Sequence, residues 1–170
     1  MNVRHTKLRT ALGELTLVAD GTGLTGLYYP QHWYRPAAAS FGRYVPAAAD
    51  PLFRATAEQL DEYLAGARHT FELPLAASGD DFQRRVWGLV SAIPYGQTRS
   101  YGELAAELGG GTKPQQVGQA VGHNPLSVIV PCHRVVGRHG QLTGYAGGLT
   151  RKRFLLQLEE PVPAAAGRLL

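Results

Sequence analysis

The pattern of apolar residues changes once along this chain, at the stretch from Pro74 to Gly79, and this change limits the folds that the chain can adopt. In the residues before this stretch, apolar and polar residues mostly alternate as in strands. In the residues after it, apolar residues recur at helical spacing. A chain of 170 residues is long enough to bury one good core or two small ones. We therefore predict an α+β fold with one domain at residues 1–76, a mainly helical domain at 80–160 and a tail at 161–170.

The first part has the pattern of a small mixed domain. Short alternating segments divided by glycine-containing turns predict four strands, at residues 3–10, 14–19, 24–29 and 70–75. Between the third and the fourth, a loop rich in proline and alanine at 30–50 precedes an amphipathic helix over 52–64. We expect a short β-meander packed against one helix.

The second part carries three recognisable helix starts. Asp80 or Asp81 can cap the first helix. Ser100 and Glu103 form a capping-box pattern for the second, and Pro114 suits the first position of the third. Two short helices joined by a glycine turn suggest a helix-turn-helix motif. A brief strand at 127–130, a glycine-rich stretch at 144–148 and a last helix are predicted to follow.

The chain has a single cysteine, which excludes an internal disulfide framework and a zinc site built on several cysteines. A reducing compartment, and so the cytoplasm, fits best. No apolar stretch approaches the 18 or so residues of a membrane span, so we expect no membrane contact. The net charge is +4, and its excess lies in the second part, where residues 80–160 hold nine basic and six acidic residues. This excess is compatible with contacts to phosphate.

The helix that starts at Pro114 presents small and uncharged residues on its outward face. If the apolar residues of this helix point inward, the exposed positions are Gln115, Gly118, Gln119 and Gly122. A helix that reads bases in the major groove carries arginine or asparagine, whereas glycines allow close approach to a narrow surface such as the minor groove. Close packing against another segment of the chain is the alternative.

Cys132 is the residue to which a chemical role is most readily assigned. A free thiol has a pKa of about 8.5, so a nucleophilic cysteine needs a base or a positive charge nearby. His133 and Arg134 follow it directly, although neighbours on a strand point to opposite faces. Taken alone, Cys132 could equally be a buried inert thiol, His133 a core histidine and Glu159 a carboxylate on a solvated helix.

A longer set of motifs gives these residues a context. From about residue 80 to 160 the sequence resembles the O6-alkylguanine-DNA alkyltransferase (methylated-DNA-protein-cysteine methyltransferase) family in order and spacing. The matching motifs are Ile93-Pro94-Tyr95-Gly96, Ser100-Tyr101-Gly102-Glu103-Leu104-Ala105, Val117-Gly118, Asn124-Pro125, Pro131-Cys132-His133-Arg134-Val135 and Gly144-Tyr145-Ala146-Gly147-Gly148-Leu149. The resemblance implies a small ribonuclease-H-like N-terminal domain followed by a winged-helix-like C-terminal domain with a helix-turn-helix.

The resemblance also implies a role for each matching residue. Cys132 is the expected alkyl acceptor, His133 takes its proton through a water, and Glu159 orients His133. Asn124 is expected to connect the recognition helix to the active-site turn through hydrogen bonds. The Tyr101 hydroxyl is expected to reach the guanine as negative charge develops on this leaving group. The expected substrate-binding residues are Val135, Tyr145, Ala146 and Gly147. The expected DNA-binding residues are Ser100, Lys113, Gln115, Gln116, Gly118, Gln119 and Arg134.

The implied activity is direct-reversal DNA repair on double-stranded alkylated DNA. The alkyl group of O6-alkylguanine, and also that of O4-alkylthymine, moves to Cys132 after base flipping from the minor groove. The thioether product has no carbonyl for water to attack, so each molecule reacts once. The resemblance implies no metal and no cofactor, and we expect a monomer without an obligate protein partner.

The sequence departs from the family at the position that fills the gap left by the flipped base. The usual pattern is Arg-Ala-Val-Gly, and this chain has Gln115-Gln116-Val117-Gly118. Gln115 can still insert into the base stack, but it supplies no positive charge. Lys113 nearby could supply that charge instead. Two other classes remain open: a damage-binding relative with tryptophan in place of the cysteine, which Cys132 argues against, and a cysteine hydrolase, which would turn over.

Overall fold

The computed structural model describes residues 2–161, so the predicted tail lies outside the described residues except for Pro161. A four-stranded sheet in the order β3-β2-β1-β4 forms the first part, with β1 at Arg4–Thr10, β2 at Gly13–Ala19, β3 at Leu24–Tyr28 and β4 at Arg43–Tyr44. Strands β1, β2 and β3 pair antiparallel, as expected of a meander, and β4 pairs parallel to β1.

Five α-helices accompany the sheet. They are α1 (Pro51–Leu64), α2 (Asp81–Ser91), α3 (Tyr101–Leu108), α4 (Pro114–Gly122) and α5 (Leu149–Glu159). Two very short strands pair in parallel: β5 (Arg99–Ser100) and β6 (Val135–Val136). This pair joins the start of α3 to the segment that follows Cys132 in sequence. The predicted α+β class is confirmed. No helix within residues 2–161 is long and apolar enough to cross a membrane.

Local signals account for where the helices of the second part begin. The Asp80 carboxylate accepts a hydrogen bond from the Gln83 backbone N–H at 2.7 Å, and the Gln83 side-chain oxygen accepts one from the Asp80 backbone N–H at 3.0 Å. Ser100 and Glu103 form the predicted capping box at the start of α3. Pro114 is the first residue of α4, where its missing N–H has no partner to lose.

Two predictions about the first part are wrong. Residues 70–75 do not form a strand, since only a bridge between Leu24 and Leu75 is made. Gly23 lies so close to the Pro74 backbone that a Cβ there would sit 2.6 Å from the Pro74 carbonyl oxygen, and proline has no N–H with which to continue a ladder. The loop at 30–50 is also not irregular throughout, because it contains β4 and 3₁₀ turns at Ala38–Phe41 and Ala47–Ala49.

The predicted strand at 127–130 is likewise wrong. Val128 has a left-handed φ of 73°, which a strand does not accommodate, and the Val130 N–H donates to the Leu126 carbonyl to close a turn. A 3₁₀ turn at Cys132–Arg134 follows directly. Cys132 and His133 therefore do not point to opposite faces of a strand, which was the objection to their acting together.

Both parts of the chain share one apolar core. Leu15 and Phe53 from the first part belong to the same buried cluster as Val86, Leu104 and Leu126 from the second. The Leu27 N–H also donates to the Pro125 carbonyl at 2.7 Å, which fixes the end of β3 beside the turn that follows α4. The sheet and α1 thus form one side of the environment of Cys132.

Candidate active site

Cys132 is buried, and its sulfur is held by Asn124. Asn124 Nδ2 lies 2.8 Å from Cys132 Sγ and 3.1 Å from the Val130 carbonyl, and its Oδ1 accepts from the Leu126 N–H at 2.9 Å. Sγ also lies 3.5 Å from the Val121 carbonyl, near the end of α4. A single amide therefore links the thiol to the turn that follows α4.

The environment of Cys132 favours the protonated thiol at rest. Burial raises the pKa of Cys132 to about 12, although the hydrogen bond from Asn124 and the positive charge of Lys152 both act to lower it. Only a minute fraction is thiolate near neutral pH. A reaction at this sulfur therefore needs a group that removes the proton as the new bond forms.

His133, Glu159 and Arg134 form a buried polar cluster next to the thiol. His133 Nε2 lies 2.8 Å from Glu159 Oε2. Arg134 donates to both oxygens of Glu159 at 2.8 and 2.9 Å, and to the Ile93 carbonyl at 2.7 Å. Although burial alone would raise the pKa of Glu159, the hydrogen bonds from His133 and Arg134 hold it far below its usual value. Glu159 is consequently a carboxylate that only accepts hydrogen bonds.

The ionised carboxylate fixes which nitrogen of His133 can act as a base. Because Glu159 only accepts, Nε2 carries the hydrogen and Nδ1 keeps its lone pair. Nδ1 is buried and has no hydrogen-bond partner among residues 2–161. Burial lowers the pKa of His133 against the opposing effect of Glu159, so the ring is neutral near pH 7. His133 can therefore accept one proton at Nδ1.

Tyr63 completes this cluster from the first part of the chain. Its hydroxyl donates to Glu159 Oε2 and lies 3.4 Å from His133 Nε2. The sequence marked Tyr63 only as an apolar position of the helix that forms α1, and no local signal distinguishes it from its neighbours. The hydroxyl helps to hold Glu159 in place against His133.

The thiol opens onto a cavity of about 370 Å³. Its wall is mostly apolar, with a few polar groups near the sulfur. The lining residues are Trp33, Tyr101, Pro114, Gln115, Gly118, Val121, Gly122, Asn124, Ser127, Cys132, Thr143, Gly144, Tyr145 and Ala146. A mostly apolar pocket of this size with a few polar groups is typical of a site for a small organic ligand.

Lys152 lies behind the pocket wall. The sequence analysis assigned no role to this residue. The residue is fully buried, and its ammonium donates to the carbonyls of Val135 at 2.6 Å and Gly144 at 2.9 Å. It also lies 5.9 Å from the centre of the Tyr101 ring. Burial lowers the pKa of Lys152 to about 8. A positive charge at this point stabilises negative charge that develops in the pocket.

Tyr145 is fixed by a second tyrosine that the sequence did not single out. The Tyr29 and Tyr145 hydroxyls are 2.8 Å apart, and burial raises the pKa of both. The ring of Tyr29 packs against Gly147, where a side chain would overlap it. Gly147 therefore supports the pocket from behind, whereas Ala146 lines it.

The predicted DNA-binding residues of α4 are divided between the pocket and the surface. Gln115 and Gly118 line the cavity mouth, whereas Lys113, Gln116 and Gln119 are exposed beside it. Ser100 is occupied as the cap of α3, where its hydroxyl accepts from the Glu103 N–H at 3.0 Å. The expectation of exposure for Gly122 is wrong, because Gly122 is buried and a Cβ there would lie 3.7 Å from Trp33 and from Tyr34.

Two further assignments need correction. Arg134 is 7% exposed and its guanidinium is engaged by Glu159 and the Ile93 carbonyl, so the expected contact with DNA is not supported. Val135 is fully buried and does not line the cavity, and its carbonyl accepts from Lys152.

Residues 2–161 contain no group of three or more side chains that could hold a metal ion.

Two protein-family models match this chain. The model of the 6-O-methylguanine DNA methyltransferase ribonuclease-like domain matches residues 3–77, and that of the DNA binding domain of the same protein matches residues 81–161. A methylated-DNA–protein-cysteine methyltransferase of Mycobacterium bovis is 43% identical over 159 residues, which is 93% of each chain. The constitutive enzyme of Bacillus subtilis is 40% identical over 160 residues, 91% of this chain and 94% of its own.

The fold agrees with solved structures as well. The crystal structure of OGT from Mycobacterium tuberculosis in complex with DNA superposes with a TM-score of 0.82 at 44% identity and covers 92% of each chain.

Proposed function

Because the chain belongs to the 6-O-methylguanine DNA methyltransferase family, we propose that Cys132 is the residue that receives the alkyl group. The chain is a DNA repair enzyme that transfers the alkyl group of methylated DNA to a cysteine of its own. Cys132 is the single cysteine of the sequence. The observation that carries the proposal is that its sulfur is held by Asn124 at the wall of an apolar cavity.

The reaction follows from the groups around the sulfur. Cys132 Sγ attacks the alkyl carbon, the bond from that carbon to guanine O6 breaks, and a thioether forms. The thiol proton passes to His133 Nδ1 through a water, and the imidazolium is stabilised by Glu159, which lies 2.8 Å from Nε2. The Tyr101 hydroxyl donates a proton or a hydrogen bond to the departing guanine. A thioether cannot be hydrolysed here, so one molecule repairs one base.

The pocket wall identifies the residues that we assign to the base. Tyr145 and Ala146 line the cavity together with Tyr101, and the first is fixed by its hydrogen bond to Tyr29. Gly147 acts by packing behind them. O4-alkylthymine presents an alkyl group on a similar exocyclic oxygen and is proposed as a second substrate.

We assign the DNA contact to α4 and its surroundings. Gln115 and Gly118 lie at the cavity mouth, so the outward face of α4 borders the route by which a base would enter. The small side chains of this face favour the minor groove of duplex DNA, and Gln115 is the residue proposed to occupy the gap in the stack. Lys113, Gln116 and Gln119 are exposed where they can contact the backbone.

We further propose that the protein acts as a monomer, since one chain supplies every residue named at the site. The cytoplasm is the proposed location, because an acceptor thiol has to remain reduced. The domain limits of 1–76 and 80–160 are retained as proposals.

Intact-mass measurement after mixing with duplex DNA that contains O6-methylguanine tests the proposed acceptor. We expect a gain of one methyl group per protein, located on Cys132 by peptide mapping. Cys132→Ala should bind the DNA and gain no mass. A chain that processes several substrate molecules, as a cysteine hydrolase does, would contradict the proposal.

A further inference from the structure

The cavity that contains Cys132 has one aromatic wall that comes from the first part of the chain. Trp33 lies in the loop behind β3, and its backbone N–H donates to the Ala146 carbonyl at 3.1 Å. Its indole lines the cavity, yet the residue is still 51% exposed. The indole therefore occupies space at the cavity wall that an entering ligand would otherwise take.

The residues on both sides of Trp33 hold this loop in place. His32 is buried, and its Nδ1 accepts from the Tyr29 N–H at 3.2 Å. Tyr34 stacks on His123 with ring centres 3.6 Å apart and planes at 11°. Trp33 therefore stands between two anchored neighbours, and its position relative to the pocket is fixed by packing on both sides.

The indole also bridges the two segments that border the pocket. A Cβ on Gly144 would lie 3.1 Å from the Trp33 ring, and a Cβ on Gly122 would lie 3.7 Å from it. Gly122 ends α4, and Gly144 begins the segment that carries Tyr145. The benzene edge of the indole thus closes the gap between the recognition helix and the base pocket.

We propose that Trp33 is a specificity-determining residue that limits the size of the alkyl group presented to Cys132. This inference rests on the proposed role of Cys132 as the acceptor. An indole is rigid and has only two side-chain torsions, so it does not reshape itself around a bulky group as a methionine does. A methyl group is accommodated, whereas an aromatic substituent has to displace Trp33. The first part of the chain thereby takes part in substrate selection.

The test compares two duplexes of the same sequence, one with O6-methylguanine and one with O6-benzylguanine, by the rate at which mass appears on the protein. Trp33→Ala should raise the benzyl-to-methyl rate ratio by at least about tenfold, the lower end of the effect of one methylene group of pocket space. Trp33→Phe, which keeps an aromatic anchor, should raise it less. Any general effect on DNA binding cancels in the ratio.

Tyr44→Ala is the matched control, because Tyr44 is an exposed aromatic residue of the same part of the chain and does not line the cavity. Its ratio should equal that of the parental protein. An unchanged ratio in Trp33→Ala, or an equal slowing of both substrates, would overturn the inference and leave the acceptor role intact. Absence of any alkyl group on Cys132 of the parental protein would instead overturn the proposed function.

Discussion

Tyr63 and Glu159 are hydrogen bonded at the buried centre of the molecule although 96 residues separate them in sequence. Tyr63 belongs to α1 and Glu159 is the last residue of α5. The same carboxylate contacts His133, so a residue of the first part of the chain positions the group that is proposed to orient the base. The buried cluster proposed to act on Cys132 is therefore built from both parts of the chain.

Tyr63→Phe should lower both stability and reactivity. The variant removes one donor from a buried carboxylate, which typically costs about 1.5 to 3 kcal/mol in the free energy of unfolding. Glu159 is then less well held against His133, and alkyl transfer from free O6-methylguanine should slow. Urea unfolding and intact-mass kinetics measure the two effects. Tyr44→Phe, at an exposed tyrosine, should change neither, and a reaction rate unaffected in Tyr63→Phe would remove Tyr63 from the proposed positioning role.

Arg134→Ala should destabilise the fold rather than weaken DNA binding directly. It leaves the buried carboxylate of Glu159 without its cationic partner, and breaking such a pair costs about 3 kcal/mol or more. Arg138→Ala, at an exposed arginine four residues further on, should change the free energy of unfolding by less than about 0.5 kcal/mol. If Arg134→Ala kept full stability but bound duplex DNA more weakly, the result would support the predicted contact between Arg134 and DNA.

Gln115 is predicted to support base flipping without taking part in the chemical step. Gln115→Arg should speed repair of alkylated duplex DNA, and Gln115→Ala should slow it, because a longer cationic side chain holds the flipped state better. Both should react with free O6-methylguanine at the parental rate, since the free base needs no flipping. Gln119→Arg adds the same charge on the exposed face of α4 outside the cavity lining, and it separates the effect of charge from that of position. Equal duplex rates for the parental protein and both Gln115 variants would exclude Gln115 as the plug.

His32 should make the protein sensitive to mild acid. Burial lowers its pKa from 6.5 to about 4, so its neutral form stabilises the fold fully above the unfolded value of 6.5, and this contribution is lost as pH falls towards 4. His32→Gln cannot titrate. The free energy of unfolding should therefore drop between pH 7 and pH 4 by up to about 3 kcal/mol more in the parental protein than in His32→Gln. Parallel pH profiles of the two proteins would contradict this. His139→Gln, at an exposed histidine, serves as the control because it should keep the parental profile.

Local sequence signals predicted the helices of the second part well. The capping pairs at the starts of α2 and α3 and the proline at the start of α4 act within one turn, so their effect depends little on the rest of the chain. The predicted strands at 70–75 and 127–130 were wrong because strand pairing, unlike helix capping, is not a local property. An apolar run predicts burial, but pairing depends on partners such as Leu24 and Leu27, which are far away in sequence.

The sequence by itself determined the family and the α+β class, and it predicted Cys132, His133 and Asn124 as site residues, because these lie in motifs with fixed short spacing. Only the tertiary structure decided that Tyr63, Lys152 and Trp33 belong to the site and that Arg134 serves Glu159. The physical reason is that burial and pairing arise from segments brought together by the shared core. A tyrosine, a lysine or an arginine has the same local preference whether it is solvated or held against a buried carboxylate.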